Sequence, residues 1–199
     1  MATLFELLGV ILTSFLLNII PFAGPSNLFI ASSIAILVDA DPWTIGLLVA
    51  FGSASAKFIH YIVTFFIGNY IGEERKKRLH ATLLKLGPWG FLALFIVAAS
   101  PLPDEPVVVP LGLMKYNPIK FYVSYFAGKF SIGVIGAYFA RFIQSMVSPW
   151  ISTEALIIVS VILTIILTVI LLKLDIVEIA QRILNRIRRK PGSVASPES

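Results

Sequence analysis

Residues 43–72, "WTIGLLVAFGSASAKFIHYIVTFFIGNYIG", run for thirty positions with one formally charged side chain, Lys57. About 20 predominantly apolar residues suffice to cross a bilayer core of roughly 30 Å. Trp43 and Tyr70 stand near the two ends of this run, where amphipathic rings favour the membrane–water interface. The rest of the chain agrees. Of its 199 residues 57% are hydrophobic and only 14% charged, with a mean hydropathy of +0.90. A soluble domain carries about 25% charged residues. The expected class is an all-α, polytopic membrane protein located in the cell membrane.

The net charge of +5 does not point to nucleic acid, because basic residues gather in "EERKKRLHATLLK" (73–85) and "RILNRIRRK" (182–190), which flank apolar segments. Under the positive-inside rule both are expected in the cytoplasm, and membrane lipids, including anionic headgroups, are the expected partners. Cysteine is absent, which excludes disulfides, thiolate nucleophiles and Cys-based metal sites. No cofactor or metal is expected. Residues 4–20 lack a basic leader and a small-residue cleavage pattern, so they are expected to remain in the mature chain.

Residues 3–20 predict an apolar helix stopped at Pro21. The next segment, "PFAGPSNLFIASSIAILV" (21–38), is broken early by Pro21, Gly24 and Pro25, which predicts a re-entrant hairpin dipping into the membrane and returning. Residues 43–72 form the first long span. "PWGFLALFIVAAS" (88–100) is too short to cross, so a half-helix is expected there. It leads into "SPLPDEPVVVPLG" (100–112), a second re-entrant loop in which Pro101, Pro103, Pro106, Pro110 and Gly112 are expected to shape unwound backbone. Residues 117–144 form the second long span, with Pro118 suited to a helix first turn. A last span is expected over 151–172. Residues 174–190 read as an amphipathic interfacial helix or a cytoplasmic extension of that span, and 191–199 as a disordered tail. Residues 1–173 are expected to form one membrane domain.

The two long spans match each other. "GSASAKFIHYIVTFFIGNYIG" (52–72) aligns with "YFAGKFSIGVIGAYFARFIQ" (125–144) through Lys57-Phe58 and Lys129-Phe130, each after a run of small residues. Each span follows a proline-broken segment and an Asp-Pro or Asn-Pro start. With both basic clusters cytoplasmic, the spans run in opposite directions, so the repeats, about 21–72 and 101–145, are inverted. Inverted repeats with discontinuous helices place a substrate site near the midplane, at the repeat interface.

In "IPFAGPSNLFIASSIAI", the following long span, "ASPLPDEPVVVPLGLMKYNPIKF" and "YFAGK", over roughly residues 15–145, the chain resembles the DedA, or SNARE-associated Golgi protein (VTT-domain), superfamily. The resemblance implies two facing re-entrant loops, each followed by a tilted span, and movement of lipids or lipid-linked carriers between leaflets. Pro21, Gly24 and Pro25 in the first loop, and Pro101, Pro110 and Gly112 in the second, match with least strain. Where bacterial members carry a glutamate shortly after a proline, this chain has Pro25, Ser26 and Asn27. Where they carry arginines around the second-loop proline, it has Ala98 and Asp104. The site therefore differs in polarity, and Asp104 and Glu105 are the available substitutes for the missing glutamate.

Lys57 and Lys129 lie well inside their spans, and intramembrane ionisable groups are expected to face the bundle interior with a partner. Asp104 and Glu105, set among prolines in an apolar stretch, are the obvious partners. Unpaired burial costs several kcal/mol per ion, so a cluster of two lysines and two carboxylates is expected, either as a structural tie between loops and spans or as a transport site. His60, one turn after Lys57, is expected on the same face, as a hydrogen-bonded packing residue or a titrating member of the cluster. Arg141 is expected to snorkel near the outer end. The small-residue runs "GSASA" and "IGVIGA" are expected to serve close helix packing.

Three functions compete on these residues. The first is a lipid translocator or scramblase with a polar path along the loop tips. The second is a proton-coupled secondary transporter of a small ion or solute, working through Asp104 or Glu105. The third, an intramembrane enzyme using Ser53, Ser55 and His60, lacks a nucleophile-elbow or rhomboid-type motif, so no enzymatic activity is expected.

Overall fold

The computed structural model describes residues 2–21, 25–72 and 89–147, with isolated positions at 74, 155, 158, 159, 162 and 166. Those isolated positions apart, the basic loop, the last span, the segment 174–190, the tail and Gly24 lie outside the described residues.

The described residues form six helices and no strand: α1 (Leu4–Ile19), α2 (Asn27–Leu37), α3 (Pro42–Ile67), α4 (Gly90–Ala98), α5 (Glu105–Leu113) and α6 (Pro118–Val147). Only α3 and α6 are long and apolar enough to cross a membrane. At 1.5 Å per residue α1 spans about 24 Å and α4 and α5 about 14 Å each, short of the roughly 30 Å bilayer core. The order short, short, long therefore occurs twice.

Local sequence sets the helix starts. Each long helix begins at a proline that follows an Asx residue. Asp41 Oδ1 accepts from the backbone N–H groups of Trp43 and Thr44, both at 3.0 Å. Asn117 Oδ1 accepts from that of Lys120 at 3.0 Å. Proline suits the first turn because its missing N–H would have no partner inside the helix. Thr3 and Glu6 form a capping box at α1. Ser26 caps α2, accepting from the Leu28 N–H at 3.3 Å.

That Ser26 cap corrects the reading of residues 21–38. They are not a hairpin in themselves, since the structure has a single helix, α2, over the greater part of them. The hairpin instead joins α1 to α2, so the helix read as a separate N-terminal element is its first arm. α4 and α5 form the second hairpin, turning over 99–104.

Packing fixes the directions. Along α3 and α6, Gly46 lies against Val134, Phe58 against Tyr122 and Tyr61 against Phe121, so the long helices run antiparallel. A Cβ at Gly46 would stand 2.5 Å from Val134 Cγ2 and 2.8 Å from Val134 N, an approach only glycine permits. α1 runs with α3: the Ser14 hydroxyl donates to Val49 O at 2.8 Å, and His60 Nε2 lies 2.7 Å from Ile19 O. α2 runs with α6: the Ser32 hydroxyl donates to Gly136 O at 2.9 Å, and Arg141 reaches Val38 O and Ala40 O. In the other half α4 runs with α6, the Ser124 hydroxyl donating to Phe91 O and Gly128 lying against Phe95. α5 runs with α3, Lys57 meeting Glu105 and Gly68 lying against Leu113.

Each first arm thus packs on its own long helix and each second arm on the long helix of the other half. One hairpin has its open end at Ala2 and Asp39, joined by a backbone hydrogen bond of 3.0 Å. The other opens where Gly90 meets Tyr116. The hairpins enter from opposite ends of the α3–α6 pair and both reach its middle, where Asn27 meets Ser53 and Glu105 meets Lys57. Two apolar cores result, one around Ile30, Ile34, Ile45 and Val49 and the other around Tyr61, Leu94, Val108 and Phe121. Polar side chains stand where the two cores meet.

Candidate functional site

At that junction Lys57, Lys129, Asp104 and Glu105 come together, each only 3 to 5% exposed. Lys57 Nζ donates to Glu105 Oε1 at 2.5 Å and lies 3.4 Å from Asp104 Oδ1. Lys129 Nζ lies 2.7 Å from Asp104 Oδ2, the oxygen that also accepts from the Tyr125 hydroxyl. Asp104 is therefore shared between the lysines of both halves. The cluster holds two positive and two negative groups, which is how buried charge is tolerated: removing one member would leave an uncompensated ion.

The turn of the second hairpin delivers the carboxylates. Pro101 and Pro103 lie in irregular backbone before α5. Asp104 is the N-cap of α5 but makes no side-chain cap hydrogen bond, since its carboxylate is turned to Lys129, Lys57 and Tyr125. Glu105 follows in the first turn, where the helix dipole favours an anion. The lysines come from the middles of the two long helices.

Several expected positions differ. Pro106, Pro110 and Gly112 are not in unwound backbone. Pro106 occupies the first turn of α5, which tolerates proline, and Pro110 lies inside that helix. Gly112 is a helical residue at the close approach of α5 to Tyr61 and Thr64 of α3. His60 is not in the cluster. Three residues beyond Lys57 is about 60° around the helix from it, and the ring turns to α1, where it meets the C-terminal carbonyl of Ile19. Arg141 does not simply snorkel, because it satisfies carbonyls after the C-terminus of α2. Ser53 and His60 engage different partners and do not meet.

The first hairpin brings uncharged groups to the same junction. Pro21 and Pro25 bracket its turn, Ser26 caps α2, and Asn27, 1% exposed, donates from Nδ2 to Ser53 Oγ at 2.6 Å. Ser53 lies one turn before Lys57. Tyr125 escaped notice in the sequence, although its place one turn before Lys129 puts both on one face. Ser14 and Asn18, buried on α1, also escaped; Asn18 Nδ2 donates to Ser14 O at 2.8 Å. Among the described residues no three His, Cys, Asp or Glu side chains gather to hold a metal ion. Compared with known proteins, the chain matches no family model, no curated protein and no solved structure.

Proposed function

We propose that the chain is a multi-pass cell-membrane protein of the DedA, or VTT-domain, kind that moves phospholipids or lipid-linked carriers between leaflets. The observation that carries this reading is the buried four-charge cluster at the point where a hairpin turn meets the middles of two membrane-length helices. Ionisable groups at membrane depth are expensive, and by default mark a path for ions or polar groups. Non-helical backbone at that depth is tolerated where it is buried in protein or lines a wet cavity. Two short-short-long units with antiparallel long helices fit an inverted repeat whose site lies at the interface of its halves. In this reading 75–85 and the tail are cytoplasmic, 39–42 and 145–150 lie outside, and a headgroup passes along the hairpin turns while the acyl tails stay in lipid.

A second reading, a proton-coupled transporter of a small ion or solute, draws on Asp104 Oδ2, which is in contact with both an ammonium and a phenol hydroxyl. Proteoliposomes containing a fluorescent phospholipid test both. Flipping that needs no proton gradient is expected. No flipping, with solute uptake that follows the gradient, would transfer the assignment to the second reading. Cysteines placed singly at positions 40 and 78 should label from opposite sides, and labelling from one side would sink the inverted topology.

A further inference from the structure

Asn27 is buried, yet its Oδ1 has no hydrogen-bond donor among the described residues. The amide orientation is set by its neighbour. Ser53 Oγ donates to Val49 O at 2.9 Å, so it accepts from Asn27, which turns Nδ2 toward Ser53 and Oδ1 away. A buried acceptor without a donor bears the desolvation cost of that oxygen. The donor it lacks can be identified from the surrounding register.

Two registers lead to Lys129. In the antiparallel α3–α6 pair, Gly46 opposite Val134 and Tyr61 opposite Phe121 set Ser53, the partner of Asn27, level with the turn that carries Lys129. In the α2–α6 pair, Ser32 meets Gly136. Gly136 also lies against Leu28, so Asn27 stands about 2 to 8 Å before the level of Gly136 along α2, and Lys129 about 10 Å before it along α6, on the face of α6 that carries Gly136, a difference in level that a long lysine side chain spans. The exchange of second arms adds a third argument. Glu105, the first residue of α5, holds the lysine of the long helix on which α5 packs. Asn27, the first residue of α2, stands in the corresponding place, but the lysine of its long helix is turned to Asp104 instead.

We infer that Asn27 Oδ1 is a second seat for the Lys129 ammonium, which moves between Asp104 and Asn27. The inference rests on the transport reading for its purpose and makes Asn27 a positioning residue. With Lys129 on Asn27, Asp104 Oδ2 keeps only the Tyr125 hydroxyl and is open to a donor group of the cargo. A neutral amide oxygen holds an ammonium less tightly than a carboxylate does, so Lys129 returns when the cargo leaves.

The test relocates the charge in the purified full-length chain. Asp104→Asn is expected to lower Tm, because Lys129 loses its carboxylate. Adding Asn27→Asp should recover at least half of that loss, and the recovery should vanish when Lys129→Met is added. A double variant that melts below Asp104→Asn would overturn the inference. Should Asp104→Asn not fold, Asn27→Asp alone is treated with a hydrophobic carbodiimide, which joins a carboxylate and an amine in contact, and the linked peptides are read by mass spectrometry. Coupling of position 27 to Lys129 is expected. Coupling to Lys57 alone, or to no lysine while Asp104 still couples to Lys129, overturns it. Both readouts are independent of transport, so the pairing stands or falls apart from the functional reading.

Discussion

Lys57 and Glu105 lie 2.5 Å apart although 48 positions separate them in the chain. The lysine comes from the first short-short-long unit and the glutamate from the second, so this contact, with that of Lys57 to Asp104, ties the halves together in the buried middle of the bundle.

Breaking that tie should be costly. Lys57→Met leaves the two carboxylates with a single ammonium, and a loss of about 3 to 5 kcal/mol is expected if they stay charged. Adding Glu105→Gln should return part of the loss. The same pattern is expected for Lys129→Met and Asp104→Asn. Thermal unfolding in detergent measures both cycles, and strictly additive losses would show that the side chains do not meet.

Tyr125→Phe removes only a hydroxyl. The ring remains stacked on Phe121, at 5.8 Å between centroids, while Asp104 loses a donor. Hydrogen bonds to charged groups contribute about 1.5 to 3 kcal/mol, and a loss in that range is expected. An unchanged melting temperature would mean that the hydroxyl does not serve the carboxylate.

Two helical glycines should respond with opposite sign. Gly46→Ala drives a methyl into Val134, including its backbone nitrogen at 2.8 Å, and about 1 to 3 kcal/mol of overpacking is expected. Val134→Ala should not rescue it, because the backbone atom remains. Gly9 in α1 has nothing within 4 Å of an added Cβ, so Gly9→Ala should stabilise by about 0.5 to 1 kcal/mol through helix propensity.

Asp41 gives a pH signature. The Thr44 hydroxyl and backbone N–H, with the N–H of Trp43, hold its carboxyl below the usual aspartate range. The stability it adds is fully present above the ordinary aspartate pKa of about 4 and is lost as pH falls through the lower folded-state value. Asp41→Asn keeps an acceptor but does not titrate there. The parent should therefore lose more Tm than the variant on acidification below about pH 4.

The starts of the long helices were legible because Asp41-Pro42 and Asn117-Pro118 each join a capping side chain to a residue suited to a first turn. The meeting of Lys57, Lys129, Asp104 and Glu105 was legible too, because charge in an apolar setting has few ways to be compensated. The hairpin boundaries were not. Proline forbids a helix interior less strictly than it favours a first turn, so Pro106 and Pro110 in "PDEPVVVP" were mistaken for unwound backbone. The cap at Ser26 was hidden among the breakers before it. His60 was misplaced because three residues bring a side chain near the face of Lys57 without bringing it onto that face. Ser26 and Asn27 read as residues of the first re-entrant loop, whereas Asn27 opens α2, and nothing in a single strand of sequence tells which helix will lie across from it.

The exchange of second arms also sets an order in time. Ser32 is bonded to Gly136, 104 positions later in the chain, so α2 is synthesised long before the surface it rests on exists. Until α6 arrives, the first three helices have an uncovered flank. Contacts so distant in sequence form slowly. The first half must therefore wait as an open clasp, which the second half closes by threading α5 against α3 while α6 takes up α2.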